Sequence, residues 1–427
     1  MLDCKISFWY PNAATFFVQV SESCFRAVCD RAADADSCMN ITILHYHLRP
    51  GGVTTVIHNA QRALSVRHEV RVLADFGYDD VPARSRAEFV ADARALAQLL
   101  AGRLRGTDVL HTHNVGLGKH PRLTCAVKLL AQRGTLRVIN QVHDFPEEHR
   151  AAQLHALRYC TGRRDDRFWR SFCYYNLPNV IWATLTTHDA ERLAGRGVPA
   201  NRIVVLPNPV DDEYFTQAAP PPEGLREVVT RLAAFAVRRG FSYSPHKKLL
   251  LAPMKVMVRK NNAEAVELVR RLPGYQLLIS LDASSPGDRA YSARVKCMIR
   301  RDRLPVVIGF GHELENPLPL FHLAHAIVTT SKIEGFGYTF VEGWLCGKLV
   351  VGRDIPEVTR DFVAAGMDLQ HLYREWDAGA VRRMERLLAR PPRALIARNR
   401  AVVLRRYSLH AYARRYAALL RHVPVRA

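Results

Sequence analysis

The sequence predicts an α/β protein with two Rossmann-like, doubly wound parallel-sheet domains facing an interdomain cleft. Short apolar runs alternate with segments of helical period from Ile41 almost to the C-terminus, as in a parallel sheet covered by helices on both faces. The alternation stops around residues 207–212, passes through Pro220-Pro221-Pro222-Glu223-Gly224 and a helical piece to Arg239, and resumes at Lys248-Leu249-Leu250-Leu251; such a break marks a domain boundary. A length of 427 residues gives each of two domains room for its own core.

Taken in order, Ile41-Thr42-Ile43-Leu44 reads as the first strand, and Gly51-Gly52 opens a helix over 53–64. A strand over 70–73, a helix over 87–104, a strand from Val109-Leu110, a helix over 122–133 and a strand over 136–142 follow, then a further α/β unit to Leu206. The second half gives strands over 249–252, 276–280, 306–308, 326–330 and 349–351. Residues 401–422 carry Arg and Tyr on one face and Leu, Val and Ala on another. The expected division is an irregular N-terminal extension (1–40), a first Rossmann-like domain (41–212), a linker (213–245), a second Rossmann-like domain (246–400), and a C-terminal helix (401–427) packing back on the first.

Hydrophobic residues at 48 % and charged residues at 24 % describe a globular chain. No apolar run reaches the length of a membrane span, and the N-terminus lacks the layout of a secretory signal. The nine cysteines include no Cys-x-x-Cys pair, so neither a zinc site nor a disulfide framework is expected, and a reduced cytoplasm fits best. The net charge of +21 suits anionic substrates or the anionic inner face of a membrane. Arg-rich composition accounts for much of it, and no basic–aromatic repeat argues for nucleic acid.

The most informative stretch is 331–362. A buried strand ends, Glu334-Gly335-Phe336-Gly337 turns, and a helix begins that carries Glu342, with seven residues between it and Glu334. Glycines allow close backbone approach, and the amides opening a helix suit phosphate. The arrangement can hold a diphosphate on backbone amides while Glu342 binds a ribose and Glu334 faces a sugar.

Ser331, Glu334-Gly335-Phe336-Gly337, Glu342-Gly343 and Gly347 resemble the signature of the retaining, nucleotide-sugar-dependent glycosyltransferases of family four, which have the GT-B fold. The resemblance implies that Glu334 contacts the transferred sugar and Glu342 the ribose, and that the first domain serves the acceptor and the second the donor. Trp344 replaces the usual small residue, and Gly347-Lys348-Leu349-Val350-Val351 replaces Gly-x-Pro-Val-Val. His143, ending a strand, stands where the family places a histidine near the transferred sugar. Lys255 stands where an Arg is usual and Lys260 where a Lys neutralises the diphosphate, with Arg259 adjoining. A Lys supplies charge but no bidentate fork. Gly309 follows its strand near the base, and Gly51-Gly52 resembles the N-terminal loop that approaches donor phosphates or acceptor.

The expected reaction is therefore retaining transfer from a nucleoside diphosphate sugar to a small-molecule or lipid acceptor, with Glu334, His143 and Lys260 as catalytic residues. Lys255, Arg259, Gly309, Gly335, Phe336, Gly337 and Glu342 are the expected donor residues, and Gly51 and Gly52 the acceptor or phosphate loop. No metal or cofactor is expected. Asp34-Ala35-Asp36 lacks a preceding apolar strand, and neither the His45/His47 pair nor the His111/His113 pair has a matching carboxylate or Cys cluster. A GT-B sugar phosphorylase, a silent sugar-nucleotide sensor and a nucleic-acid binder are the rival readings.

Overall fold

The computed structural model describes residues 38–78, 85–148, 151–161 and 166–422. Most of the expected N-terminal extension, including Asp34 and Asp36, lies outside these residues.

The chain forms two compact units, whose described parts are 38–209 with 409–422, and 210–408. The first holds six parallel strands, β1 (Asn40–Leu44), β2 (Glu69–Leu73), β3 (Val109–His113), β4 (Arg137–Val142), β5 (Val180–Thr184) and β6 (Ile203–Val205), in the order β2-β1-β3-β4-β5-β6. The second holds five, β7 (Lys248–Lys255), β8 (Tyr275–Leu281), β9 (Val306–Ile308), β10 (Ala326–Thr329) and β11 (Leu349–Gly352), in the order β11-β10-β7-β8-β9. Strand order reverses direction between β1 and β3 in one sheet and between β7 and β10 in the other. In open α/β sheets, ligands bind beyond the strand C-termini at such switch points.

Alternating side chains give the first sheet two apolar faces. Leu44, Leu110, Val138 and Trp182 pack with Ala97, Leu123 and Val127. Ile41, Ile43, Val109, Ile139 and Ile181 pack with Ile57, Ala60 and, from the last helix, Tyr412, Tyr416, Leu419 and Leu420.

Within the expected linker, 213–245, the helical piece that the sequence ends at Arg239 is the helix Pro222–Arg239, whose Val228, Leu232, Phe235 and Ala236 are buried, because its apolar residues recur at helical spacing. One stretch differs from the sequence reading. The C-terminal segment is two helices. Arg393–Tyr407 ends within the second unit, while Leu409–His422 packs against Gly52–Leu64 in the first. Among the described residues no helix is long and apolar enough to cross a membrane.

Candidate functional site

In the second unit, β10 leads through buried Thr330 and Ser331 into Glu334-Gly335-Phe336-Gly337. Gly337, at φ 84°, caps the helix Tyr338–Leu345. A Cβ there would lie 3.0 Å from Phe340 and 3.1 Å from Val358, so both the left-handed backbone and the tight packing ask for glycine. The side chain of Phe336 is buried beside Tyr338, Phe362 and Tyr407, with ring centroids 5.1, 5.8 and 5.7 Å away. It anchors the turn, and what it can offer a ligand is its backbone. The helix start has no side-chain cap and no acid in its first turn, which leaves its amide dipoles uncompensated by the chain.

β7 supplies the cations. Pro253 cannot donate to the ladder, and the register with β8 shifts between Ala252 and Lys255. A short turn, Val258–Lys260, then meets Asn261 at φ 50°. Lys260 Nζ pairs with Glu334 Oε1, while Arg259 Nη1 lies 3.4 Å from Glu334 Oε2 and donates to the Ile333 carbonyl at 3.1 Å. The turn is held from beneath. Thr330 Oγ1 lies 3.1 Å from the carbonyls of both Lys260 and Asn261. Asn261 donates at 2.7 Å to Glu264, whose carboxylate also accepts from Tyr373 at 2.6 Å and from Nη2 and Nε of Arg353 at 2.5 and 3.2 Å. Sequence reasoning passed over this clamp, because Glu264, Arg353 and Tyr373 are far apart in the chain.

Burial alone would raise the Glu334 carboxyl, but the charges of Lys260 and Arg259 outweigh it and hold Glu334 below its usual range. Burial likewise depresses the Lys260 ammonium against the opposing pull of Glu334. Glu342 is pushed up to about 7 by burial, with the charge of Glu334 adding and that of Lys260 opposing. Glu334, Glu342, Lys260 and Arg259 thus form one electrostatic group at the switch point. Lys255 stands apart from them: its Nζ is 3.4 Å from Ser284 Oγ. Gly309, at φ 95°, lies on that same side, beside Asp282, whose amide donates to His312 at 3.2 Å.

In the first unit, His143 follows β4, and its Nε2 lies 2.8 Å from Nδ1 of buried His113. Asn114, at φ 55°, accepts from the amides of His143 at 2.7 Å and Asp144 at 3.2 Å. His45 Nδ1 donates to the His113 carbonyl at 2.8 Å, joining the ends of β1 and β3. His113 Nε2 is buried without a partner. If His143 donated to His113, that orphan would be an N–H. If His113 donates, it is only an unused lone pair, which costs less than a buried unpaired donor. His143 therefore carries its proton on Nδ1. Burial drives His143 down to about 4 and His45 to about 3, so both are neutral at ordinary pH. Gly51 and Gly52 open the helix Gly52–Leu64, which also lacks a side-chain cap and a first-turn acid. Among the described residues no group of three His, Cys, Asp or Glu could hold a metal ion.

Residues 50–214 match the family model described as Glycosyltransferase Family 4. Over 351 residues the chain is 26 % identical to the mannosylglucosyl-3-phosphoglycerate synthase of Petrotoga mobilis, covering 76 % of this chain and 66 % of that protein. The chain thus spans just under two thirds of that relative's length. A crystal structure of a glycosyltransferase from Rickettsia africae matches 90 % of this chain and 98 % of its own, with a TM-score of 0.66 at 15 % identity. Anabaena HepE in complex with UDP and glucose matches 90 % of this chain and 99 % of its own, with a TM-score of 0.62 at 13 % identity. The sucrose-phosphate synthase of Thermosynechococcus elongatus matches 90 % and 98 %, with a TM-score of 0.62 at 17 % identity. The chain thus has the GT-B fold, with parallel sheets of six and five strands.

Proposed function

We propose that this chain transfers a glycosyl group from a nucleoside diphosphate sugar to a phosphate-bearing acceptor, with retention at the anomeric carbon and without a metal ion. The observation that carries the reading is Glu334, held by Lys260 and Arg259 at the switch point of the second sheet, with Glu342 electrostatically coupled to both Glu334 and Lys260. The relative from Petrotoga, named for a phosphoglycerate product, supports the acceptor class.

The bond that breaks joins the anomeric carbon to a phosphate oxygen, and its electron pair leaves with the diphosphate. Lys260, Arg259 and the amides opening Tyr338–Leu345 would stabilise that charge in place, as preorganised donors do at a developing anion, with Lys255 adding a point charge from its own side. A diphosphate at Lys260 and Arg259 competes with Glu334 for them, freeing the carboxylate to accept from hydroxyls of the transferred sugar. Glu342 would accept from the ribose, and His143, with its proton on Nδ1, would donate to a sugar oxygen. The departing phosphate would take the acceptor's proton on the same face, giving retention.

The test is release of nucleoside diphosphate from UDP-, GDP- and ADP-sugars with phosphorylated acceptors, for the native chain and for Glu334→Ala and Lys260→Ala. Losses of roughly tenfold to a thousandfold are expected. Unchanged turnover in both variants would sink the assignment, and the anomeric proton coupling of the product reports retention directly.

A further inference from the structure

The switch point of the first sheet carries Arg49 and Lys119, and the reaction chemistry at the sugar uses neither. Beyond β1 the chain runs through His47 and Arg49 into the uncapped start of Gly52–Leu64. Beyond β2 comes Tyr78, and beyond β3 comes Lys119. These three loops converge on one phenol ring. Arg49 Cζ and Lys119 Nζ each lie 5.3 Å from the centroid of Tyr78, and Lys119 is 5.7 Å from that of Tyr46. His47 meets the Tyr78 ring edge-on at 4.9 Å, with Nε2 2.8 Å from the phenol oxygen.

The hydrogen bonds fix what this cluster offers. The Arg49 amide donates to His47 Nδ1 at 3.2 Å, so the His47 proton sits on Nε2 and is given to Tyr78. The phenol oxygen is thereby the acceptor of that bond, and its own hydrogen is left to donate outward. Arg49 is exposed and forms no ion pair among the described residues. The cluster depresses its own histidine: burial first, then the charges of Lys119 and Arg49, hold His47 below its usual value. Nothing within 4 Å would meet a Cβ at Gly52, so the helix start is open to approach. Two cations, a phenol O–H and unspent helix amides are the donor set of a phosphate site.

We propose that Arg49, Lys119 and Tyr78, with the amides opening Gly52–Leu64, bind a phosphate group, and that this group is the phosphate of the acceptor. His47 acts as a positioning residue through Tyr78. The second clause rests on the transferase reading above; the first does not.

The experiment is calorimetric titration of the full chain with inorganic phosphate, and with a phosphorylated hydroxy acid against the same acid lacking phosphate. The native chain is compared with the Arg49→Ala/Lys119→Ala double variant and with Tyr78→Phe. Charge-assisted bonds of this kind predict at least about a tenfold weakening of phosphate binding in the double variant and a smaller loss in Tyr78→Phe. Sugar-nucleotide binding by the double variant should be unchanged, which also shows that it is folded. Equal phosphate binding by native and double-variant chains would overturn the site, as would equal binding of the hydroxy acid with and without phosphate. Phosphate binding lost in the double variant, in a chain that binds no sugar nucleotide, would keep the site while removing its role in transfer.

Discussion

His113 Nδ1 lies 2.8 Å from His143 Nε2, with the rings 5.1 Å apart and 22° from parallel, and this contact sets the tautomer of His143. A histidine with Nε2 engaged and its proton on Nδ1 is a fixed, neutral hydrogen-bond donor. Because burial holds its pKa near 4, it stays a donor across the range in which the protein would work.

Long-range nitrogen–proton correlation spectra of histidine-labelled protein should therefore show His143 as the Nδ1–H form, unchanged between pH 6 and 8. His113→Phe removes the partner that selects this form, and the expected outcome is a mixture of tautomers with turnover lowered about tenfold, in the range of a lost positioned donor. His143→Asn, which keeps an N–H, should retain more activity than His143→Ala. An Nε2–H signal from native His143 would refute the arrangement.

Glu334→Gln separates the two jobs of Lys260 and Arg259. The amide no longer competes for the cations, so nucleoside diphosphate alone should bind more tightly. Transfer should fall by roughly tenfold or more, because a neutral amide is a weaker acceptor for the sugar hydroxyls than a carboxylate. Weaker diphosphate binding in the variant would mean that Glu334 does not compete with the ligand.

Much of this site was legible in the chain, since Glu334, the glycine turn and Glu342 lie within nine positions of one another, and local spacing survives folding. Lys260 could be placed because a loop after the first strand of a sheet must reach its switch point. The clamp of Glu264, Arg353 and Tyr373 and the tautomer-setting His113 could not. Each depends on register between strands distant in sequence, and no single run of residues records it. For Phe336 the chain shows only a place in the turn; that its ring packs beside Phe362 and Tyr407, leaving its backbone for a ligand, comes from contacts distant in sequence.

Glu342 gives a pH signature. Its ordinary value is 4.5, and burial raises it to about 7 in the fold. Between those values the folded protein holds a proton that the unfolded chain has released, so this group's contribution to stability falls as pH rises through the window. A ribose donates its hydroxyls best to the ionised form. Affinity for a sugar nucleotide should therefore tighten, by at most about tenfold per unit, as pH rises to about 7, and then level off. Glu342→Gln should bind with little dependence on pH. A flat profile for the native chain between pH 5.5 and 8 would exclude the role.

Gly352 ends β11 at φ 128°, and a Cβ there would fall 1.8 Å from the Thr329 carbonyl oxygen, a main-chain atom of β10. Neither side chain nor solvent can yield to relieve it. Gly352→Ala should therefore part the two strands that flank the Glu334 loop and lower the melting temperature by several degrees or prevent folding. A fully stable Gly352→Ala protein would show that β10 and β11 are not this close.

Trp344 is fully buried, its ring 6.0 Å from that of His371, and its indole N–H has no partner. The signature that this stretch resembles has a small residue at this place, so the indole adds buried volume here. Trp344→Ala should cost about 3–5 kcal/mol through the cavity it leaves. Trp344→Phe removes less volume and also deletes a buried donor whose desolvation costs about 1–3 kcal/mol, so the two changes oppose each other. Chemical denaturation should place Trp344→Phe within about 1.5 kcal/mol of the native chain. A loss as large as that of alanine would mean that the N–H has a partner, and that this tryptophan is kept for its hydrogen bond instead of its bulk.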